Sequence, residues 1–230
     1  MRRADRFALA AASARWRHNR GVTSSHLDRL VADSSDRVAW LRARSRGITA
    51  TDVARLSSAK SIDAVATEKL GGGPGFSGNA YTDHGRAREP EIARWVAATH
   101  GISPSSALFH AEIEKRHLAT PDGLAVTNSG ALVLAEIKTT TKPWRSVPRN
   151  YLRQIWWQQY VLGAERTLVV WEQHTNFQPV GDEPMCRWID RDEKQINQLV
   201  GLANNLIDEL HRRTTRVSRY LVNDDPYDIP

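Results

Sequence analysis

Apolar residues recur along this chain at two spacings. Ile196, Leu199, Val200, Ala203, Leu206, Ile207 and Leu210 follow the three-to-four step of a helix with one buried face, after Asp192. Ile92, Trp95 and Val96 repeat that step in a helix that Asp83 can cap. Pro90 predicts either a kink near Arg88 and Glu89 or a second helix starting at the proline. Asn150 can cap a helix over residues 151–162, which Gly163 ends. On it Tyr151, Gln154, Gln158 and Val161 share one face, and Ile155, Trp156 and Leu162 mark another. Strand-like runs cover residues 107–115, 117–120, 124–127, 131–138, 167–173 and 185–190.

The N-terminal part is patterned differently. Residues 1–22 are basic and poor in large apolar side chains, and read as a mobile arm or marginal helix. Ser25 can cap a helix through Ala32, and Ser35 the next, where Val38, Leu41 and Arg42 begin a partly apolar face. The stretch Gly47-Ile48-Thr49-Ala50-Thr51-Asp52 enters another helix, with Thr49 or Thr51 as its cap and Val53 and Leu56 buried. With Arg44 and Arg46 just before it, that helix start is a candidate phosphate cradle; an ordinary cap with solvated arginines accounts for the same residues. The glycine-rich run 71–78 reads as a flexible loop. It is no nucleotide-binding P-loop, because no Gly-Lys-Ser/Thr closes it.

The 230 residues suit one domain, with a basic arm at 1–35, a body at 36–213 and a fraying tail at 214–230. No run approaches the ~18 apolar residues of a membrane span. Residues 7–14 read as an exposed basic helix rather than an export signal, since Arg15, Arg17 and Arg20 follow. A single cysteine, Cys186, excludes an internal disulfide and a four-cysteine cluster, and a cytoplasmic protein is the simplest expectation. Residues 1–46 hold 11 arginines against 4 aspartates, whereas the remainder holds 21 basic and 22 acidic residues. The positive excess is therefore N-terminal, which favours a polyanionic partner.

The candidate chemistry lies between Thr120 and Thr139. Asp122 ends Thr120-Pro121-Asp122, and the apolar run 131–135 ends in Glu136-Ile137-Lys138. Alternation puts Glu136 and Lys138 on one strand face. Two carboxylates can hold a hard cation such as Mg2+, with the lysine beside an attacking water. Asp-Gly is also an ordinary turn signal, and Glu and Lys two apart can be surface pairing. Glu112-Ile113-Glu114-Lys115 looks similar and strand-like. Glu136 stands out because a charged pair that ends a buried strand needs a partner. Glu89 lies three and seven positions before Ile92 and Val96, on their inward face, which makes it a further candidate. Gln154 and Gln158 are spaced to reach one site; a solvated polar stripe explains them equally well.

Five blocks in this order resemble the phage lambda-type exonucleases, the YqaJ-like viral recombinase family of the PD-(D/E)xK nuclease superfamily. They are Trp40 to Asp52, Gly85-Arg86-Ala87-Arg88-Glu89-Pro90-Glu91, Thr120-Pro121-Asp122-Gly123-Leu124, Glu136-Ile137-Lys138 and Tyr151-Leu152-Arg153-Gln154-Ile155. The resemblance covers residues 40 to about 165. It implies an α/β (α+β) restriction-endonuclease-like core, a central mixed β-sheet flanked by helices, with 36–213 as the nuclease domain. Asp122 and Glu136 then resemble the metal-binding carboxylates, with the Ile137 carbonyl as a further ligand and Glu89 assisting. Lys138 resembles the lysine that activates water, and Gln154 the glutamine that completes the centre. Arg44 matches an arginine that receives a DNA 5′-phosphate, and Thr51 a small hydroxyl residue beside it; Arg46 joins them as a DNA-binding candidate. His84 reads as structural.

The implied activity is Mg2+-dependent hydrolysis of linear duplex DNA from a 5′ end, with Mn2+ able to substitute, leaving 3′ single strands for recombination. A trimeric ring and a single-strand annealing partner are implied by the resemblance alone. An endonuclease of the same fold, and a DNA-binding module with an inactive site, are the alternatives.

Overall fold

The computed structural model describes residues 26–71 and 78–223. The 1–22 arm, the cap assigned to Ser25, most of the glycine-rich loop and residues 224–230 lie outside the described residues. In chain order the elements are β1 (Leu30–Ala32), α1 (Arg37–Arg46), β2 (Ile48–Thr49), α2 (Ala50–Arg55), α3 (Ala59–Lys69), α4 (Ala80–His100), β3 (Ser103–Pro104), β4 (Leu108–His110), β5 (His117–Ala119), β6 (Gly123–Val126), β7 (Leu132–Thr140), α5 (Arg149–Leu162), β8 (Arg166–Thr175), β9 (Gln178–Pro179), β10 (Met185–Asp190) and α6 (Glu193–Asn223). The strands form a small sheet in the order β1-β4-β5-β2 and a larger one in the order β10-β8-β7-β6-β3, with β9 paired to β8. The large sheet is mixed: β7 runs parallel to β8 and antiparallel to β6.

The long strand β7 organises both layers. Leu132 and Leu134 join the core that holds Trp157 and Val161 of α5 and Leu199 and Leu206 of α6. Val133, Ala135 and Ile137 alternate onto the opposite face, against Ile92, Ala93 and Val96 of α4. The strand is thus buried on both faces, as its apolar run predicts. The apolar stripe of α6 is buried as its spacing requires, at Ile196, Leu199, Ala203, Leu206 and Ile207. That helix runs on to Asn223, past the expected boundary at Thr214.

Several local expectations change. Residues 26–29 form a 3-10 turn that leads into β1, in place of the helix through Ala32. They belong to the body rather than to an arm: β1 pairs with β4, and buried Arg29 donates to the Val161 and Leu162 carbonyls at the end of α5. Asp36, not Ser35, caps α1 by accepting from the Ala39 amide at 3.0 Å, and Val38 and Leu41 are exposed. Asn79 rather than Asp83 caps α4, which runs through Pro90 without a break. Helix α5 starts at Arg149, one residue before the expected Asn150 cap, and closes at Gly163 in the left-handed region, φ 73°. Residues 112–115 form a turn, because Glu114 accepts from the Arg116 amide and guanidinium at 2.9 Å. Ile113 is left exposed, so this acidic segment is no second site. Trp157 is sealed in the core, donating to the Leu118 carbonyl at 3.0 Å, and Trp171 is buried as well, while Trp95 and Trp156 are only partly buried.

Gly47 lets the chain turn from α1 into β2 against β5. A methyl group there would lie 2.6 Å from the Arg116 carbonyl oxygen. Gly47→Ala is therefore expected to cost about 1–3 kcal/mol through forced backbone movement. Urea denaturation of the two proteins measures it, and an unchanged midpoint would show that the junction yields freely.

Candidate active site

Glu136 is the most buried carboxylate of the region, at 1% exposure. Alternation turns it toward α5, where burial of a charge demands close donors. Its Oε1 accepts from Lys138 Nζ and from Gln154 Nε2, and its Oε2 accepts from Gln158 Nε2 at 2.7 Å. Lys138 lies on the same strand face, and its ammonium sits 5.3 Å from the Tyr151 ring centroid. Tyr151, Gln154 and Gln158 are thus successive contacts from one face of α5. The solvated-stripe reading of the glutamines fails here, since Gln158 is fully buried.

Asp122 stands where the ladder between β6 and β7 stops. Its amide donates to the Ala135 carbonyl at 3.2 Å, and its Oδ2 accepts from the Ile137 amide at 2.7 Å. A side chain has replaced the next backbone partner. Amide and carbonyl of one strand residue face the same side, so the Ile137 carbonyl also faces the Asp122 side.

The electrostatics follow from this crowding. Burial, reinforced by the charges of Glu136 and Glu89, holds the Asp122 carboxyl well above its ordinary range, against the pull of Lys138 and of the Ile137 amide. Burial would lower the Lys138 ammonium, but Glu136 and Asp122 outweigh it and hold the group protonated. Burial also raises Glu89, with Lys138 opposing and Glu136 adding to the effect. Glu89 departs from expectation in one respect. It is crowded by surrounding protein atoms yet keeps solvent-accessible surface, so it is not packed into the core with Ile92 and Val96.

The sequence-derived DNA residues separate. Arg44 reaches the site's edge: its Nη1 is 3.5 Å from Thr120 Oγ1, two residues before Asp122, and its guanidinium lies 4.3 Å over the Trp40 ring. Arg46 and Thr51 are exposed and do not join the carboxylates; Arg46 lines a separate pocket with Lys69, Arg116 and His211. Thr49 caps α2 in a reciprocal box with Asp52, so that helix start is occupied by its own side chains and the ordinary-cap reading holds. His84 packs against His174 and Phe177 and makes no contact with the carboxylates. Gln158 was recognised by spacing yet not ranked with Gln154; its complete burial is a tertiary property that spacing does not reveal.

Asp122, Glu136 and the Ile137 carbonyl offer hard oxygen atoms around a local excess of negative charge, which fits a hard divalent cation. Among the described residues no group of three or more His, Cys, Asp or Glu side chains is close enough to hold a metal ion.

A model of the YqaJ-like viral recombinase domain matches residues 39–165. Among solved structures, the alkaline exonuclease LHK-Exo from Laribacter hongkongensis is similar at TM-score 0.61 and 21% identity, over 80% of this chain and 97% of that one. LHK-Exo in complex with dAMP gives 0.62 and 22% over the same shares. A phage related exonuclease from Haemophilus somnus 129PT is similar at 0.54 and 14%, over 73% of this chain and 96% of that one. At these identities the likeness establishes a shared fold. No curated protein matches the sequence.

The crowded carboxylates make the metal-free site a stability liability. An acid whose folded pKa exceeds its unfolded one binds protons more readily when folded, so stability falls as pH rises from the unfolded value through the folded one. Asp122→Asn keeps the acceptor for the Ile137 amide and removes the charge. It is expected to raise Tm of the metal-free protein at pH 8 by roughly 2–4 °C, and by less at pH 5. Scanning calorimetry in EDTA measures this; a lower Tm for the variant at pH 8 would contradict it.

Proposed function

The chain belongs to the YqaJ-like viral recombinase family, and from that premise we propose that it is a Mg2+-dependent DNA exonuclease acting on linear duplex from the 5′ end, leaving 3′ single strands for recombination. The observation that carries the reading is the buried Glu136 held by Lys138, Gln154 and Gln158 beside Asp122, on a strand whose ladder stops at that point.

In this reading Asp122, Glu136 and the Ile137 carbonyl hold the cation, and Glu89 assists from the mouth. When bound, Mg2+ supplies Lewis-acid polarisation of the scissile phosphate and charge stabilisation at the leaving oxygen. Lys138 is kept charged beside Glu136, where its ammonium orients the attacking water and offsets negative charge as it develops on the phosphate. Gln154 and Gln158 donate to the two Glu136 oxygens and fix the carboxylate plane. Tyr151 closes the other side of the lysine. Arg44, in contact with Thr120 and stacked on Trp40, would receive a terminal 5′-phosphate through its planar fork. Arg46 and Thr51, both exposed outside the centre, are the remaining DNA-contact candidates of this reading.

A trimeric ring is part of this reading, by resemblance to the family. The exposed apolar residues Leu30, Val31, Val38 and Leu41 on β1 and α1 support an interface there. Among the described residues no helix is long and apolar enough to cross a membrane.

Two measurements test the activity. With Mg2+, the protein should release nucleotides from linear duplex and leave covalently closed circles intact, and Lys138→Ala should lower kcat by about 10²–10³-fold or more with DNA binding retained. Cutting of closed circles would select the endonuclease alternative, and binding without any metal-dependent product the inactive module. Separately, 5′-phosphorylated duplex should be degraded faster than 5′-hydroxyl duplex, and Arg44→Ala should abolish the difference. Equal wild-type rates on the two ends would remove that role from Arg44.

A further inference from the structure

The opposite face of β7 carries a second polar opening next to the centre. A cavity of about 360 Å³ is lined by Asn79, Tyr81 and Thr82 at the start of α4, by residues 139–141, all threonine, and by His174 of β8. Alternation turns Thr139 onto the α4 face, Thr141 lies just past the end of β7, and among the described residues neither hydroxyl has a hydrogen-bond partner. His174 is 2% exposed, and its Nδ1 is buried without a partner. A buried polar atom without a partner is unusual enough to require an explanation.

Two of the lining residues, Tyr81 and His174, pack against Phe177 beside the cavity. The His174 ring stacks on Phe177 at 5.6 Å and 16°, and Phe177 meets Tyr81 at 5.4 Å. Tyr81 is 58% exposed and Phe177 40% exposed. Asn176 and Phe177 form the tip between β8 and β9 with φ of 50° and 64°. Glycine is favoured at such positions, so a phenylalanine is kept there at a conformational cost.

The opening neighbours the candidate centre along β7 and α4. Thr139 directly follows Lys138, and Thr82, Gly85 and Glu89 lie on one face of α4. A methyl group on Gly85 would lie 3.3 Å from Thr139 Oγ1, so helix and strand run close together between the two sites.

We propose that this opening is a nucleotide subsite for a single strand of DNA: the threonine hydroxyls and His174 take a backbone phosphate neighbouring the scissile one, and Tyr81 and Phe177 stack on its base. Duplex bases are already stacked on one another, so the exposed aromatic pair selects an unpaired base. The substrate class rests on the nuclease reading, while binding itself needs neither metal nor cleavage. The cavity volume is that of a small-ligand site, and stacking on exposed aromatic rings is the sequence-tolerant way to hold single strands.

The test uses a short single-stranded oligonucleotide carrying 2-aminopurine, titrated in EDTA with the full chain. The wild type should bind and quench the fluorescence. Phe177→Ala should weaken binding about 5-fold or more and lose the quench, and Phe177→Tyr should keep both. Thr141→Val, an exposed and nearly isosteric change, serves if Phe177→Ala does not fold; it should weaken binding while leaving the quench at saturation. Wild-type affinity in both Phe177→Ala and Thr141→Val overturns the subsite, as does failure of the wild type to quench. Cleavage of linear duplex by the wild type in Mg2+ is scored separately. Binding and quenching without cleavage would sink the nuclease reading and leave the subsite standing.

Discussion

A single buried carboxylate sets the terms for the rest of the centre. Glu136 projects from the interior of β7 into the layer occupied by α5, where an unpaired charge would cost several kcal/mol. Lys138, Gln154 and Gln158 each donate to it. The lysine comes from the same strand, two residues on, by alternation. The glutamines come from α5, so their donation requires that helix to dock in one register. Its docking is fixed from several sides: Arg29 caps its end, Arg153 donates to the Ala54 carbonyl at 2.6 and 2.9 Å, and Trp157 donates to the Leu118 carbonyl. The polar centre and the apolar core beneath it are therefore parts of one packing solution, in which Val161 continues the glutamine face into the core.

The second constraint is where β6 stops. Had its pairing with β7 continued past Gly123, the Ile137 amide would be taken by backbone and would not be free for the Asp122 carboxylate. Because the ladder ends there, Asp122 takes the amide, and its carboxyl is forced close to Glu136 with Glu89 nearby. The elevated Asp122 pKa is the electrostatic record of that arrangement. Such strain at an active centre is a common trade of stability for function.

Legibility in the sequence followed the range of the interactions. Asp122, Glu136 and Lys138 could be read because strand alternation and an apolar run are local, and the glutamine pair because helical spacing is local. The family resemblance tied these pieces together across β6, β7 and α5, and the mixed sheet flanked by helices agrees with it. What failed depended on distant packing. Val38 and Leu41 have the spacing of a buried face, but nothing in the described chain covers α1. Glu89 shares the direction of Ile92 and Val96, yet it lies where α4 reaches the open mouth. Trp156 and Trp157 are adjacent, and which one is sealed depends on how α5 is rotated against Leu118. Pro90 sits inside α4 because losing one backbone donor is tolerable in a helix held by Ile92, Ala93 and Val96.

Strand β7 also explains why one short segment can carry several tasks. Its first half is apolar on both faces and fixes the sheet between two layers of helices. Its second half keeps the same alternation while the surrounding layers fall away. Even-numbered residues then become Glu136 and Lys138 on the α5 side, and odd-numbered Thr139 lies on the α4 side, with Thr141 just past the strand's end. No change of backbone geometry is needed for the transition, only the end of β6 on one edge and the start of α4 across the other face. The candidate centre and a polar cavity can thus share a strand without sharing side chains. Substitutions on one face should transmit to the other mainly through the position of α4, whose closest approach to the strand is Gly85 beside Thr139.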